Sequence, residues 1–321
     1  MRIAVLMSTY NGERFIDEQV RSILEQLPAN GRLMIRDDGS SDSTASRIDA
    51  FADPRIELTR GENLGFAGSF LTLLSQVPRT VDMVMFSDQD DVWMPEKVAR
   101  SWQHLQPLAA QPALYCSSQM LVDETLKPLH VTPPWPRPPS FAGALTENVV
   151  TGCTAALNQP AVVLLQSAGV PEGVHFHDWW MYLVVSAFGS VVVDDQPTLM
   201  YRQHGTNQIG HGSGWWGRQT QMLRFLSTHD WVGILLGQVT ALRDHYGPKL
   251  GDIECALLGR FFDVHCGQPR VRWSLVFSLL RLRQRLYHEV PFRMLAALHR
   301  LRLWPLSARF RANRSGSHIL G

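Results

Sequence analysis

No run of eighteen apolar residues occurs in this 321-residue chain, which excludes a conventional membrane-spanning helix. Cysteine is scarce. The four residues, Cys116, Cys153, Cys255 and Cys266, lie far apart with no C-x-x-C pair. That excludes a zinc ribbon or a disulfide framework and fits reduced core thiols. The apolar opening is short too: Met1–Met7 gives way at once to Ser8-Thr9-Tyr10-Asn11. It is too brief for a signal-peptide core, so the expectation is a protein that stays in the cytoplasm. No internal repeat is visible, so repeat architectures are not expected. What is present is an ordinary globular composition, 45% hydrophobic and 18% charged, which excludes a wholly disordered chain.

The net charge of +1 conceals an asymmetry. Residues 268–321 hold eleven Arg and one acid, Glu289, for a charge of +10, and the rest of the chain carries 19 basic and 28 acidic residues, for −9. The chain reads as an acidic body with a basic tail, and a basic tail suggests a polyanionic partner.

Along the body, strands and helices alternate. Residues 2–7 read as a buried strand. A helix follows at 12–27, where Ile16, Val20, Ile23, Leu24 and Leu27 form one stripe at helical spacing. Further strands are expected at 32–36, 56–59 and 81–86, with helices from Ser43 to about Ala52 and near 66–75. Alternation of this kind predicts a parallel sheet sandwiched by helices, with ligands at the carboxyl ends of the strands. Beyond residue 95 the pattern loosens. A helix at 95–106, strands at 113–122, 149–157 and 189–200, and a helix after Asp178 are expected. Residues 132–140 hold five prolines and forbid regular structure. From about 215 the chain reads as helical.

The polar clusters Thr9–Asn11, Asp37-Asp38 and Asp88–Asp91 all fall just after strands. In Ser87-Asp88-Gln89-Asp90-Asp91, neighbouring carboxylates repel by about a kcal/mol or more per pair unless a cation is shared. Hard oxygen donors suit Mg²⁺ or Mn²⁺. The same acids also suit a solvated turn before a helix starting at Pro95, where they complement its dipole. Asp37-Asp38-Gly39-Ser40-Ser41-Asp42 fits either an N-capped strand-to-helix turn or a site whose carboxylates accept from a base or ribose.

Taken together, Met7-Ser8-Thr9-Tyr10-Asn11-Gly12, Asp37-Asp38-Gly39-Ser40-Ser41-Asp42, Glu62-Asn63-Leu64-Gly65 and Asp88-Gln89-Asp90-Asp91 resemble glycosyltransferase family 2. Gly152-Cys153, His177-Asp178-Trp179-Trp180 and Tyr201-Arg202-Gln203-His204-Gly205-Thr206-Asn207 extend the match to about residue 210, and the ending resembles the rhamnosyltransferase-like branch. The resemblance implies an α/β GT-A fold: a Rossmann-like, mostly parallel sheet flanked by helices, followed by a helical basic region. It implies a transferase domain over 1–212, with a nucleotide-binding half (1–95) and an acceptor half (96–212), and a helical Arg-rich region over 213–321.

The implied roles go residue by residue. Thr9, Tyr10 and Asn11 line the nucleotide pocket, and Asp38 binds the base, with Asp37 able to share that role. Asp88 faces the ribose, with Gln89 beside it in the donor site. Asp90 and His204 hold Mn²⁺ or Mg²⁺, and Asp91 helps with the metal or the sugar. Arg202 contacts the diphosphate, and Gly152 lets backbone approach the sugar. Asp178 is the base of an inverting transfer from a dTDP- or UDP-sugar to a hydroxyl of a lipid-linked or polysaccharide glycan. The family usually has an acid pair where His177-Asp178 stands, so this chain offers one carboxylate there in place of two. A plainer reading of Asp178 is an N-cap. The alternative for the whole chain is a non-catalytic nucleotide-sugar-binding protein that retains the fold.

In the tail, Trp273, Val276, Phe277 and Leu280 fall at helical spacing among arginines, with Arg302, Arg309 and Arg311 further on. This pattern suits the interface of an anionic membrane and places the enzyme peripherally at the inner face of the cell membrane. A nucleic-acid partner is not expected, because no such motif is present and an acidic body repels phosphates. Gln268-Pro269-Arg270-Val271-Arg272-Trp273 resembles the QxxRW signature of processive family 2 synthases with one residue too many. The purified protein is therefore expected to add one sugar or a few. A product ladder of long polymer on a gel would contradict this.

Overall fold

The computed structural model describes residues 1–204, 230–263 and 269–301. The chain divides into two compact units: Met1–Pro171 with His175–Asn207, and Glu172–Val174 with Gln208–Gly321.

In the first unit, the expected alternation is realised as β1 (Ile3–Thr9), α1 (Ile16–Leu24), β2 (Arg32–Asp37), α2 (Thr44–Asp49), β3 (Ile56–Arg60), α3 (Gly65–Gln76) and β4 (Met83–Ser87). There follow β5 (Val92–Trp93), α4 (Lys97–Leu105), β6 (Ala113–Val122), β7 (Pro128–Val131), α5 (Phe141–Ala144), β8 (Ala156–Asn158), α6 (Gln159–Gln166), α7 (His177–Phe188) and β9 (Ser190–Arg202). One sheet runs in the order β3-β2-β1-β4-β8-β6-β9-β5, with β7 paired to β6.

The first four strands are parallel neighbours. Their apolar runs are continuous because helices cover both faces. Val5, Leu6 and Met7 are fully buried. Ile16, Val20 and Ile23 of α1 join the cluster formed by Ile3, Val5 and Met7 on one face, and Phe70 of α3 packs edge-on against Phe86 of β4, ring centroids 5.8 Å apart, on the other. Each such side chain contributes about 1.5–3 kcal/mol through burial. Register aligns the strand ends: Thr9 lies opposite Asp37, and Met7 opposite Ser87. Asp37, Asp38 and Asp88 therefore emerge on one edge of the sheet.

Beyond β4 the sheet is mixed. The pairs β4–β8, β6–β8, β6–β7 and β5–β9 are antiparallel, and β6–β9 is parallel. The strand expected over 149–157 is shorter than its apolar pattern, spanning only Ala156–Asn158, because Gly152–Thr154 turns as a 3₁₀ helix. The Thr154 hydroxyl donates to the Thr151 carbonyl at 2.7 Å and holds that turn. Residues 132–140 carry no helix or strand, as their prolines require.

The second unit contains helices Trp231–Tyr246, Asp252–Phe261, Trp273–Val276 and Leu286–Arg300. The all-helical expectation missed an antiparallel pair, Phe262–Asp263 with Arg270–Val271. The helix expected to run through Leu280 stops at Val276. Arg293 takes up the carbonyls of Val276 and Leu280, at 3.3 and 3.1 Å, and also that of Ser278. Those acceptors are thereby drawn away from a continuing helical ladder. The expected helix over 213–229 and the positions Gly205, Thr206, Asn207, Gln268, Arg302, Arg309 and Arg311 lie outside the described residues.

Helix α7 passes into β9 with only Gly189 between them. There the chain runs against Pro112, whose carbonyl accepts from Ser190 at 2.9 Å. A Cβ on Gly189 would collide with that same carbonyl oxygen. Gly189→Ala is therefore expected to cost about 2 kcal/mol or more, read as a lowered urea midpoint, because backbone rather than a flexible side chain must yield.

Candidate active site

Two corners form at the carboxyl ends of the parallel strands. In the first, Asp37 is buried and acts as the nucleus of its own loop. It accepts from the N–H groups of Gly39 and Ser40, at 3.1 and 2.9 Å, from the Ser40 hydroxyl at 2.6 Å and from the Thr9 hydroxyl at 3.2 Å. Thr9 is thus a buried brace. Asn11 has a left-handed backbone (φ 49°), which its short amide tolerates. Its Oδ1 accepts from the Ser41 N–H at 2.8 Å, and its own N–H donates to the Ser40 hydroxyl at 2.9 Å. Asp38 is buried, ion-paired with Arg36, and accepts from the Leu64 N–H at 3.2 Å. Arg36 in turn donates to the Glu62 carbonyl at 2.8 Å. The Glu62-Asn63-Leu64-Gly65 loop is thereby tied to the same carboxylate. Tyr10 is exposed and stands clear of this web.

The second corner is acidic. Gln89 clamps it to the first: its Oε1 accepts from the Tyr10 N–H at 2.9 Å, and its Nε2 donates to the Tyr10 carbonyl at 3.1 Å. Gln89, expected in the donor site, pins the two loops together there. Asp90 meets His204, Oδ2 to Nε2 at 2.8 Å, and its carbonyl accepts from Arg202 Nε at 2.8 Å. His204 packs on Phe15, ring centroids 5.1 Å apart. The expected Asp90–His204 pair is therefore brought together.

Arg202 is only 2% exposed. Besides Asp90, its guanidinium reaches the Glu124 carbonyl and the Glu18 carboxylate, both at 2.5 Å, and lies over the Phe15 ring at 4.4 Å. These contacts fix the acidic loop from behind.

Asp88 and Asp91 gather with Cys153, their ligand atoms all within 4.8 Å of one another. Asp91 is buried. One carboxylate oxygen accepts from the Arg202 N–H at 3.1 Å, and the other has no hydrogen-bond partner. Burial, then the charge of Asp90, push Asp88 up to about 7. Burial, then Asp90 and Asp88, raise Asp91 well above the usual carboxylate range. These crowded carboxylate oxygens are hard ligands of the kind that fit a divalent cation. Cys153 fits poorly, because burial holds its thiol well above its ordinary value and a neutral thiol is a weak ligand.

Asp178 sits in the first turn of α7, whose N-cap is Phe176, so it is not the cap. Its carboxylate accepts from the Trp179 N–H at 2.7 Å, and also from the Asn148 side chain and the Gly152 N–H. Burial pushes it up to about 6, and its charge contributes to the rise of Asp88. Beside it, His177 is buried, stacked on Phe70 at 4.2 Å, and pulled down by burial to about 3. It is neutral and cannot replace a second carboxylate. A Cβ on Gly152 would come within 2.6 Å of His177 Nε2, so this glycine is required by close packing on the histidine.

Two residues escaped the sequence reading. Lys97 is fully buried, donates to the Cys153 carbonyl at 2.9 Å and the Thr198 hydroxyl at 3.3 Å, and is pulled down to about 8 by burial. It is the cation behind Asp88 and Asp91. Asn148 braces Asp178. A lysine in the first turn of an amphipathic helix gives no signal of burial, and Asn148 lies far from any motif.

This arrangement, a curled α/β sheet flanked by helices with braced acids at its strand ends, has the GT-A fold. The description Glycosyl transferase family 2 matches residues 4–162, and this chain carries a family 2 domain and is a glycosyltransferase. It is 29% identical over 216 residues to the dTDP-rhamnosyl transferase RfbG of Shigella flexneri, covering 64% of this chain and 73% of that protein. It is 35% identical over 97 residues to the Escherichia coli UDP-Glc:alpha-D-GlcNAc-diphosphoundecaprenol beta-1,3-glucosyltransferase WfgD, covering 30% of this chain and 38% of that protein. The crystal structure of S. aureus TarS 1–349 in complex with UDP-GlcNAc superposes with a TM-score of 0.52 at 14% identity, over 80% of this chain and 78% of that one. At that identity the likeness shows the fold.

Asp88 binds its proton more tightly when folded than unfolded, so folding stability falls as pH rises from about 4 to about 7. Asp88→Asn removes that loss. In EDTA it is expected to stabilise the protein by up to about 4 kcal/mol at pH 8 and by little at pH 4, read by urea denaturation.

Proposed function

We propose that this is an inverting, divalent-metal-dependent enzyme moving a sugar, rhamnose by likeness to RfbG, from a dTDP- or UDP-sugar to a glycan hydroxyl. The acceptor is a lipid-linked or polysaccharide glycan, a reading supported by the diphosphoundecaprenol named for WfgD. The enzyme works peripherally at the inner face of the cell membrane. Residues 1–212 carry the chemistry, with 1–95 holding the nucleotide and 96–212 the acceptor, and residues 213–321 face an anionic membrane.

The observation that carries this reading is Asp178, a carboxylate braced by three donors, raised to about 6 and set beside the acidic corner. A base of that strength is charged at neutral pH yet basic enough to matter. Asp178 takes the acceptor hydroxyl proton as that oxygen attacks the anomeric carbon. The bond from that carbon to the diphosphate oxygen breaks on the opposite face, and the nucleoside diphosphate leaves with the electron pair. Thr9, Asn11 and Asp37 shape the nucleotide wall. Exposed Tyr10 and Arg36-braced Asp38 meet the base, Asp88 meets the ribose, and Gly152 admits the sugar. Asp90 and His204, with Asp88 and Asp91 adjoining, hold Mn²⁺ or Mg²⁺. A divalent cation there supplies Lewis-acid neutralisation of the leaving diphosphate.

A thermal-shift panel of nucleoside diphosphates and nucleotide sugars is expected to show a Mn²⁺-dependent rise with one nucleotide. Asp178→Asn is expected to keep that shift and lose about 10²–10⁴-fold in kcat. The wild-type rate is expected to fall on the acid side below about pH 6, as Asp178 takes up its proton. Full turnover by Asp178→Asn, or no shift with any nucleotide, would sink the assignment.

A further inference from the structure

Helix Leu286–Arg300 hides its charge and shows its apolar side chains. Its one acid, Glu289, is 6% exposed and accepts from the Leu282 and Arg283 N–H groups, at 3.4 and 2.9 Å, and from the Arg293 guanidinium at 2.6 Å. Meanwhile Leu286, Val290 and Met294, at i, i+4 and i+8, stand more than 60% exposed, with Tyr287 beside them at 58%. The turn after Trp273–Val276 does the same: Phe277 is 74% and Leu279 101% exposed. Arg293 joins the two segments by donating to the carbonyls of Val276 and Leu280 from within the helix.

Single exposed apolar residues are ordinary, but six large ones more than half exposed within residues 277–294 are not. The segment that carries them is basic. Between residues 270 and 301 the sequence holds seven arginines and a single acid, the buried Glu289. Arg272 lies 3.9 Å from Asp263, and Arg281 and Arg293 bond to backbone carbonyls, but the segment keeps an excess of positive charge. A second copy would set that charge against itself. An anionic bilayer offers phosphates to it and an acyl boundary to the apolar side chains.

We propose that the exposed faces of helix Leu286–Arg300 and of the 277–280 turn form a membrane-docking surface that seats on anionic phospholipid. This deepens the peripheral placement proposed above and rests on it, while its test is read without donor, acceptor or turnover.

The full chain is spun with vesicles of phosphatidylcholine alone and of phosphatidylcholine with phosphatidylglycerol. Binding to the anionic vesicles is expected to be roughly tenfold stronger or more. Leu279→Ser, Val290→Ser and Met294→Ser together are expected to weaken it roughly tenfold. These side chains are exposed, so the melting temperature and any nucleotide-induced shift are expected to stay unchanged. Wild-type protein that ignores anionic vesicles, or a triple variant that binds them as well as wild type, would overturn the proposal. So would a dimer that the variant breaks without any vesicle binding, which would make the face a self-association surface. A missing nucleotide shift would count against the transferase reading alone and leave the vesicle result standing.

Discussion

The rest of the first unit is organised around a cost. Asp88, Asp90, Asp91 and Asp178 converge at the end of β4 and the start of α7, where burial strengthens their mutual repulsion. The protein relieves it with its own groups. Lys97 stands behind Asp88 and Asp91. Arg202 takes the carbonyl of Asp90 and gives its N–H to Asp91, and His204 meets the Asp90 carboxylate. The repulsion that remains raises both Asp88 and Asp91 above the usual carboxylate range.

The scaffold explains how these groups are held. Parallel register brings the ends of β1, β2 and β4 to one edge, and hydrogen bonds then join the loops to one another. Asp37 folds its own turn, Asn11 ties that turn to the end of β1, and Gln89 ties the acidic loop to Tyr10. Several polar residues at these loop ends hold loops together, which is how a site on loops gains the rigidity of the strands beneath it.

Asp178 is set differently. It rides on α7, whose apolar face is buried through Trp179, Trp180 and Leu183, and its carboxylate is met by the N–H groups of Trp179 and Gly152. The raised basicity comes from burial and is limited by those donors. His177 next to it is kept neutral among Phe66, Phe70 and Phe86, so the position that could have carried a second negative charge contributes packing instead.

The sequence by itself determined the strand–helix alternation, the placement of polar clusters after strands and the transferase family. These are written in local periodicity and in short motifs whose chemistry is carried by residue type. It overextended the strand before Asn158 and the helix after Trp273, because a local apolar pattern does not register a 3₁₀ turn or an arginine reaching in from Leu286–Arg300. Only the tertiary structure decided which polar residues are tied into the frame. Arg202 and Gln89 stand in short motifs yet are bonded to loops distant in sequence, while Lys97 and Asn148 look like nothing in particular. The physical reason is that burial and hydrogen-bond partnership arise between segments as much as 184 residues apart, as between Glu18 and Arg202, and these set both charge state and accessibility.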